Sequence, residues 1–472
     1  MSVDTYLRLR AVALGRALPR ATRRHVHLDP AAEPLVVVGY HMPGDLGAPI
    51  GLMYGTHRNG PRTAVVGEPR NGKLRFQQLA DFAMDLNGYF GRYIQPVLPR
   101  PARRTGSARR LPPAPQLIVP NAATAQWLCD VMGRRLRTLD TEGEYAVHPA
   151  LPSIGAHLSF FASQRVPGSS LVLPLTDLLS QHWATGQLDA LDAALAVQVA
   201  WIDNPAGIED AEGAGSAGPV PDGDWEKTHL SDAIKAYQRL SDSGSNITRA
   251  SEPMKIAVEA ALQPAWEACW DAVQLLDGLP DADSVEDRWE MDRYQWHRHA
   301  ERVRANKAYF SRRPQQLQGM RLLTRLERLT ANLTRDMALD DPLVMANYIA
   351  SGDALSGEIT RRDAAGDRPS LSLRPDMPFR RPVGTELHWF AEPVRSPDGV
   401  TRPMVTVEVI SADEKNVELR VVRGAVRKDR RRLLPQIGER VIFSQFGRRE
   451  FRRDTLPAEL PWTHVGVEGT SR

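Results

Sequence analysis

Apolar positions along this chain change their spacing several times, and each change marks a different kind of element. Over residues 3–18, Leu7, Val12, Leu14 and Leu18 stand among arginines in a pattern that predicts an amphipathic helix. Three short strands follow, Pro34–His41, Ile50–Thr56 and Arg62–Gly67, separated by Pro43-Gly44-Asp45 and Asn59-Gly60 turn chemistry. A helix over about Phe76–Tyr93 follows, with Leu79, Phe82, Leu86, Tyr89 or Phe90, and Tyr93 three or four apart. After an Arg/Pro-rich spacer at 99–115, Gln116–Pro120 reads as a strand. Asn121 then caps a helix carrying Ala125, Leu128, Met132, Leu136 and Leu139. Helix, three strands, helix, strand, helix makes residues 1–150 an N-terminal mixed α/β unit.

From 151 to 284 the pattern is helical. The stripe Leu188, Leu191, Leu195, Val199 and Ile202 stops before Pro205, 207–224 reads as an exposed loop, and Pro264 suits the first turn of a helix bearing Trp266, Trp270 and Val273. Residues 285–365 carry the clearest period: Trp289, Trp296, Val303 and Phe310 recur every seventh position, and Leu322, Leu326, Leu329, Leu333 and Met337 align after Pro314. They predict a long antiparallel helical hairpin whose apolar stripes pack within the molecule. The period changes to two in 366–472, at Glu386–Ala391, Met404–Ile410, Asn416–Val422 and Arg440–Gln445, with a hairpin loop at Ser411–Lys415. Four or five short strands there predict a small C-terminal β-barrel of OB or SH3-like type, followed by a tail. The expected fold class is α+β and multi-domain: α/β unit, acidic helical region, hairpin, barrel.

Length agrees, since 472 residues exceed a single core at about 100–200 residues per domain. With 42% apolar and 25% charged residues the composition is that of soluble globular protein. No apolar run approaches the roughly 18 residues of a membrane span, and the arginine-interrupted first 24 residues do not read as a signal peptide. Two cysteines, Cys129 and Cys269, provide neither a zinc cluster nor a disulfide framework. The expected location is cytoplasmic, without membrane contact.

Charge adds what periodicity does not show. The net charge of +3 hides 17 basic against 7 acidic side chains in residues 1–112, and 6 against 21 in residues 185–290. Either the basic ends meet a polyanion, or they dock on the acidic middle of the same or another copy. Of 60 basic residues, 53 are arginine, whose planar fork suits phosphate and carboxylate. Two groups have the right placement for phosphates. Arg321, Arg325, Arg328 and Arg335 lie along one flank of the second hairpin helix, and Arg423, Arg427, Lys428, Arg430, Arg431 and Arg432 sit in one barrel connection opposed only by Asp429.

Catalytic patterns are incomplete. Gly67-Glu68-Pro69-Arg70-Asn71-Gly72-Lys73 has phosphate-loop spacing, but Leu74 replaces the magnesium-binding Ser or Thr, so a turn at Asn71-Gly72 is the preferred reading. The αβββαβ order resembles that of restriction-type nuclease cores. Asp45, Glu68 and Arg70 are the nearby candidates for its metal-binding acids and cation, with Asp45 ahead of the second strand and Pro69 breaking the third. His25/His27 and His297/His299 lack further ligands at zinc spacing and read as solvated. No serine or cysteine has a nucleophile setting. Hence no catalytic residue, metal site or cofactor is expected.

The segments Asp340-Asp341-Pro342-Leu343-Val344-Met345-Ala346, Pro461-Trp462-Thr463-His464, Trp201-Ile202-Asp203-Asn204-Pro205 and Pro167-Gly168-Ser169-Ser170 resemble an uncharacterised family of actinobacterial proteins. The resemblance spans most of the chain after Pro120, brings no catalytic residue with it, and implies at most a partner protein of the helicase-like ATPase kind. The leading expectation is a non-enzymatic accessory subunit of a bacterial DNA- or RNA-processing or phage-defence assembly, binding nucleic acid without sequence preference. A scaffold holding a basic partner on its acidic middle and a divergent magnesium-dependent nuclease are the alternatives.

Overall fold

The computed structural model describes residues 3–94, 111–187, 194–212, 218–308, 310, 316–365, 368–391, 394–396, 399–401 and 403–449. Helix α1 (Val3–Leu14) precedes strand β1 (Leu35–His41), which is buried along its whole length because it lies inside a sheet covered on both faces. β1 pairs antiparallel with β2 (Pro49–Gly55), and β2 antiparallel with β3 (Arg62–Val65). On its other side β1 runs parallel to β4 (Leu117–Val119), which runs parallel to β5 (Val172–Pro174), giving the order β3-β2-β1-β4-β5.

Strand alternation sends Leu35, Val37 and Leu52 to one layer, where α2 (Ala80–Arg92), α3 (122–136) and α4 (Ala150–Gln164) cover them. Asn121 caps α3 as expected, its side-chain oxygen accepting from Thr124 N at 2.8 Å. Val36, Val38, Ile50 and Ile118 face the opposite layer. It is built by α5 (Leu175–His182), α6 (Leu195–Asp203), α7 (Ser231–Asp242) and the 31-residue α8 (Ile247–Asp277). The expected boundary at residue 150 therefore does not separate two cores. Residues 151–284 supply the fifth strand and one whole covering layer, and the two-residue apolar run of β5 was too short to register as a period.

Two local expectations change. Pro264 stands in the interior of α8, not in a first turn. The N–H that proline lacks is offset by apolar anchoring, since Leu262, Trp266 and Cys269 are all fully buried against the sheet. In the expected loop 207–224, residues 213–217 lie outside the described ones. Gly218 and Pro219 are packed, with Gly218 O accepting from Asn121 Nδ2 at 2.9 Å and Pro219 O from His41 N at 2.9 Å.

Helices α9 (Val285–Arg304) and α10 (Gln316–Asp340) form the hairpin, closed at its base by Arg288–Asp336 at 3.0 Å and by Ser284 N donating to Asp340 at 2.8 Å. Their apolar stripes do not zip together. Trp296 turns into the sheet's lower core, with ring centroids 5.8 Å from both Phe90 and Phe161, while Leu322 and Leu323 stay 46% and 58% exposed. The aromatic core below the sheet offers indole more contact than a neighbouring helix does.

Asp341 caps α11 (Pro342–Ser351), accepting from Leu343 N at 2.9 Å. Gly352 ends it at φ +79°, with the Arg380 stem where a Cβ would stand. The chain then enters β6 (Leu355–Asp363), followed by β7 (Ser370–Pro375), β8 (Glu386–Phe390), β9 (Met404–Ala412), β10 (Val417–Arg423) and β11 (Arg440–Phe443). They form a nearly closed antiparallel barrel in the order β8-β9-β10-β7-β6-β11, its seam drawn together by reciprocal His388–Ser444 backbone hydrogen bonds. Its interior is apolar, including Ile359, Leu373, Val407, Leu419 and Phe443. The barrel thus begins at Leu355, eleven residues before the expected boundary at 366.

Candidate nucleic-acid interface

Four arginines of the N-terminal unit are engaged by the acidic segment. Arg24 pairs with Asp277 at 3.2 Å and Asp281 at 2.8 Å, and Arg58 with Glu267 and Asp271 at 2.6 Å each. Arg23 reaches Asp283 at 3.7 Å and Arg70 reaches Glu226 at 3.6 Å. For this end of the chain, intramolecular docking is what the charge segregation encodes.

Arg335 is also consumed. Its guanidinium donates to Gly447 O and, at 2.6 Å, to Asp336, and lies 5.5 Å from the Phe390 ring centroid. Asp336, 1% exposed, accepts as well from Arg288 at 3.0 Å and Arg449 at 2.7 Å. This carboxylate and its three arginines tie α9 and α10 to the segment that follows the barrel's last strand. Farther along α10, Arg321 is exposed while Arg325 and Arg328 are half-buried, with exposed Glu327 between them. Arg321 lies about 21 Å along the helix from Arg335, at 1.5 Å per residue.

On the barrel wall, arginines pair with carboxylates from other parts of the sheet. Arg374 meets Glu358 and Arg420 meets Glu408, both at 2.6 Å, while Arg423 meets Glu386 and Arg440 meets Asp376. In the connection after β10, residues 428–433 fold as a 3-10 helix anchored from within. Arg431 is buried, donating to Val426 O at 3.1 Å and to Ala364 O, and its own carbonyl accepts from Arg362 at 2.8 Å. Arg423 and Arg431 therefore leave the expected cationic set, because one is paired and the other spends its donors on backbone.

With Arg431 as the pin, Arg427, Lys428, Arg430 and Arg432 project as exposed side chains and have no carboxylate within ion-pair distance among the described residues. The pin also seats this helix on the β6–β7 turn, near exposed Arg361 in the last residues of β6 and exposed Arg368 just before β7. Six cations thus crown one rim of the barrel, at the far end of β6. Eight residue steps, about 26 Å at ~3.3 Å each, separate this rim from Leu355, where α11 leads into the barrel. The continuous track expected from sequence is broken at Arg335 and Arg431.

Comparison of the chain with known protein families, curated proteins and solved structures finds no match in any of the three. Geometry alone carries the functional reading.

Sequence reading missed Arg361 and Arg368 because β6 was placed in the hairpin. The alternation of buried Leu355, Gly357 and Ile359, continued by Leu371 and Leu373, was the available signal.

Nuclease chemistry is not assembled. Neither β2 nor β3 carries a carboxylate. Asp45 is held by Arg75 at 3.1 Å and by Gly47 N at 2.9 Å, and Glu68 accepts from Asn71 at 3.0 Å. Among the described residues no group of three potential metal ligands occurs. The phosphate-loop spacing folds as a turn: Gly67 packs on the Tyr237 ring, and the Lys73 and Leu74 N–H groups donate to Asn71 Oδ1. The histidines expected in solvent are instead internal. His25 lies 3.6 Å from buried Asp341, His297 and His299 are buried, and His27 stacks on Trp289 at 4.4 Å. Burial, reinforced by His182, pushes the His25 pKa down to about 4, the nearby Asp341 only partly opposing it.

The motif Asp340-Asp341-Pro342 has a structural use, closing the hairpin and capping α11. Pro461–His464 lies outside the described residues. Among the described residues, no helix is long and apolar enough to cross a membrane.

Proposed function

We propose that this chain is a non-enzymatic accessory protein that binds the phosphate backbone of nucleic acid, without sequence preference, through the six-cation rim of its barrel. One observation carries the reading. Arg361, Arg368, Arg427, Lys428, Arg430 and Arg432 lie at one end of the barrel without carboxylate partners among the described residues, whereas Arg374 and Arg420 of the barrel wall and Arg24 and Arg58 of the N-terminal unit are paired. Flexible cations on a rigid platform suit a repeating polyanion, because each phosphate contact releases condensed counterions and asks for no fixed register. The role is that of a tethering subunit in a larger DNA- or RNA-processing assembly, with chemistry supplied by a partner. The scaffold reading has less support, since much of the acidic segment already faces Arg23, Arg24, Arg58 and Arg70.

Fluorescence anisotropy with labelled single-stranded and duplex oligonucleotides tests this. Binding is expected for unrelated sequences alike, and replacing Arg427, Lys428, Arg430 and Arg432 together by alanine removes it. Undiminished binding by that variant contradicts the reading.

A further inference from the structure

Away from the barrel, three helices enclose a cleft of about 530 Å³, within the roughly 300–1,000 Å³ of small-molecule sites. Its walls are built by i, i+3 and i, i+4 placement. α3 contributes Arg134 and Arg137, α9 contributes Arg298 and Arg302, and α4 lays Ser159 and Ser163 between them. The one carboxylate in the lining, Asp130, is taken by Arg165 at 2.8 Å. Four guanidinium groups therefore surround a concave volume without a free counter-charge among the described lining residues.

Arg134 and Arg302 are exposed and have no ion-pair partner among the described residues. Arg298 donates to Tyr294 OH at 3.1 Å, which orients its fork. Ser159 Oγ is buried with no hydrogen-bond partner among the described residues. Behind them the floor is rigid and apolar, with the His299 ring stacked on Phe160 at 4.2 Å. Like charges lining one concavity raise the local concentration of a compact polyanion more than the same charges spread over a flat surface.

We infer that this cleft binds a small ligand carrying adjacent phosphate groups, of the nucleoside-diphosphate class, with Arg134 and Arg298 clamping the phosphates from opposite walls. Guanidinium matches phosphate bidentately. Two adjacent phosphates supply several negative charges within a span that arginines on facing helices can share. The volume that remains accommodates the rest of a nucleotide. This site is independent of the barrel rim and of the proposed function.

Titration calorimetry of the full chain with pyrophosphate, ADP and adenosine tests the inference. Pyrophosphate and ADP are expected to bind with one site per chain, and adenosine to give no heat. The Arg134→Ala/Arg298→Ala pair weakens both ligands by at least about tenfold, and the Arg134→Lys/Arg298→Lys pair, which keeps charge but not the fork, recovers only part of the loss. The four-alanine rim variant binds them normally. Absence of binding by wild type at about 1 mM of either ligand, a Kd worth roughly 4 kcal/mol, overturns the inference. So does full affinity in the Arg134→Ala/Arg298→Ala protein, or loss of binding in the rim variant alone.

Discussion

The arginines around Asp336 and those on the barrel rim are the same residue type put to opposite uses. Around Asp336, three guanidinium groups from α9, α10 and the segment after β11 converge on one carboxylate that is 1% exposed. On the rim, one buried arginine, Arg431, gives its donors to backbone carbonyls and thereby holds four exposed cations outward. An arginine-rich stretch of sequence does not say which use it serves. What separates them is the acceptor: where the fold turns a carboxylate or a buried carbonyl toward the guanidinium, arginine is structure, and where it supplies neither, arginine is left for a partner.

The difference is open to attack from both sides. Asp336→Ala removes the shared counter-charge and leaves three guanidinium groups facing one another, so a loss of about 3–5 kcal/mol is expected, read as a shift of the urea midpoint. A midpoint within experimental error of wild type means that solvent already satisfies those arginines. The four-alanine rim variant should do the reverse. Oligonucleotide affinity falls roughly 10²–10³-fold at about 0.1 M salt, from the loss of about 0.7–0.9 in the salt exponent for each phosphate contact, while the urea midpoint stays put.

Acidity provides a third contrast, because the rim has only groups that stay charged, while the core holds neutral histidines. Burial, with His157 and Arg302 adding to it, pushes the His299 pKa down to about 3. The unfolded state therefore binds a proton that the native state refuses between the usual histidine range and that value. This contribution to stability is complete above about pH 6.5 and is lost as pH falls below it, at about 1.4 kcal/mol per pH unit. His299→Phe, which keeps the stack on Phe160, should gain on wild type by about 2 kcal/mol between pH 6.5 and 5. A stability difference that does not change with pH rules out a neutral buried imidazole. The smallest effect is expected at Arg24. Its side chain is 7% exposed but its partners Asp277 and Asp281 are half open to water, so Arg24→Ala costs about 1–2 kcal/mol and leaves oligonucleotide affinity unchanged. A loss of binding in that variant would place the N-terminal arginines in the interface after all.

Elements with a long, regular period were legible before the structure: the strands from Leu35 to Val65, helix α2, both hairpin helices and four strands of the barrel. What escaped was pairing at a distance. β5 contributes only Val172 and Leu173 as apolar residues, so its place beside β4 follows from the sheet and not from any pattern of its own. Trp289 and Trp296 have perfect heptad spacing, yet Trp289 stacks on His27 and Trp296 meets Phe90 of α2 and Phe161 of α4, all more than 130 residues away. At the rim, sequence identified Arg427, Lys428, Arg430 and Arg432 because they are contiguous. It wrongly kept Arg335, Arg423 and Arg431 with them, since neither Asp336, Glu386 nor the Ala364 carbonyl can be assigned to an arginine without coordinates.

The salt dependence of oligonucleotide binding tests the central claim most directly. Plotted as log K against log salt, the wild-type line should be steep, and alanine at Arg427, Lys428, Arg430 and Arg432 should flatten its slope by about 3. Parallel lines for the two proteins would show that the rim does not touch phosphate, and would contradict the account.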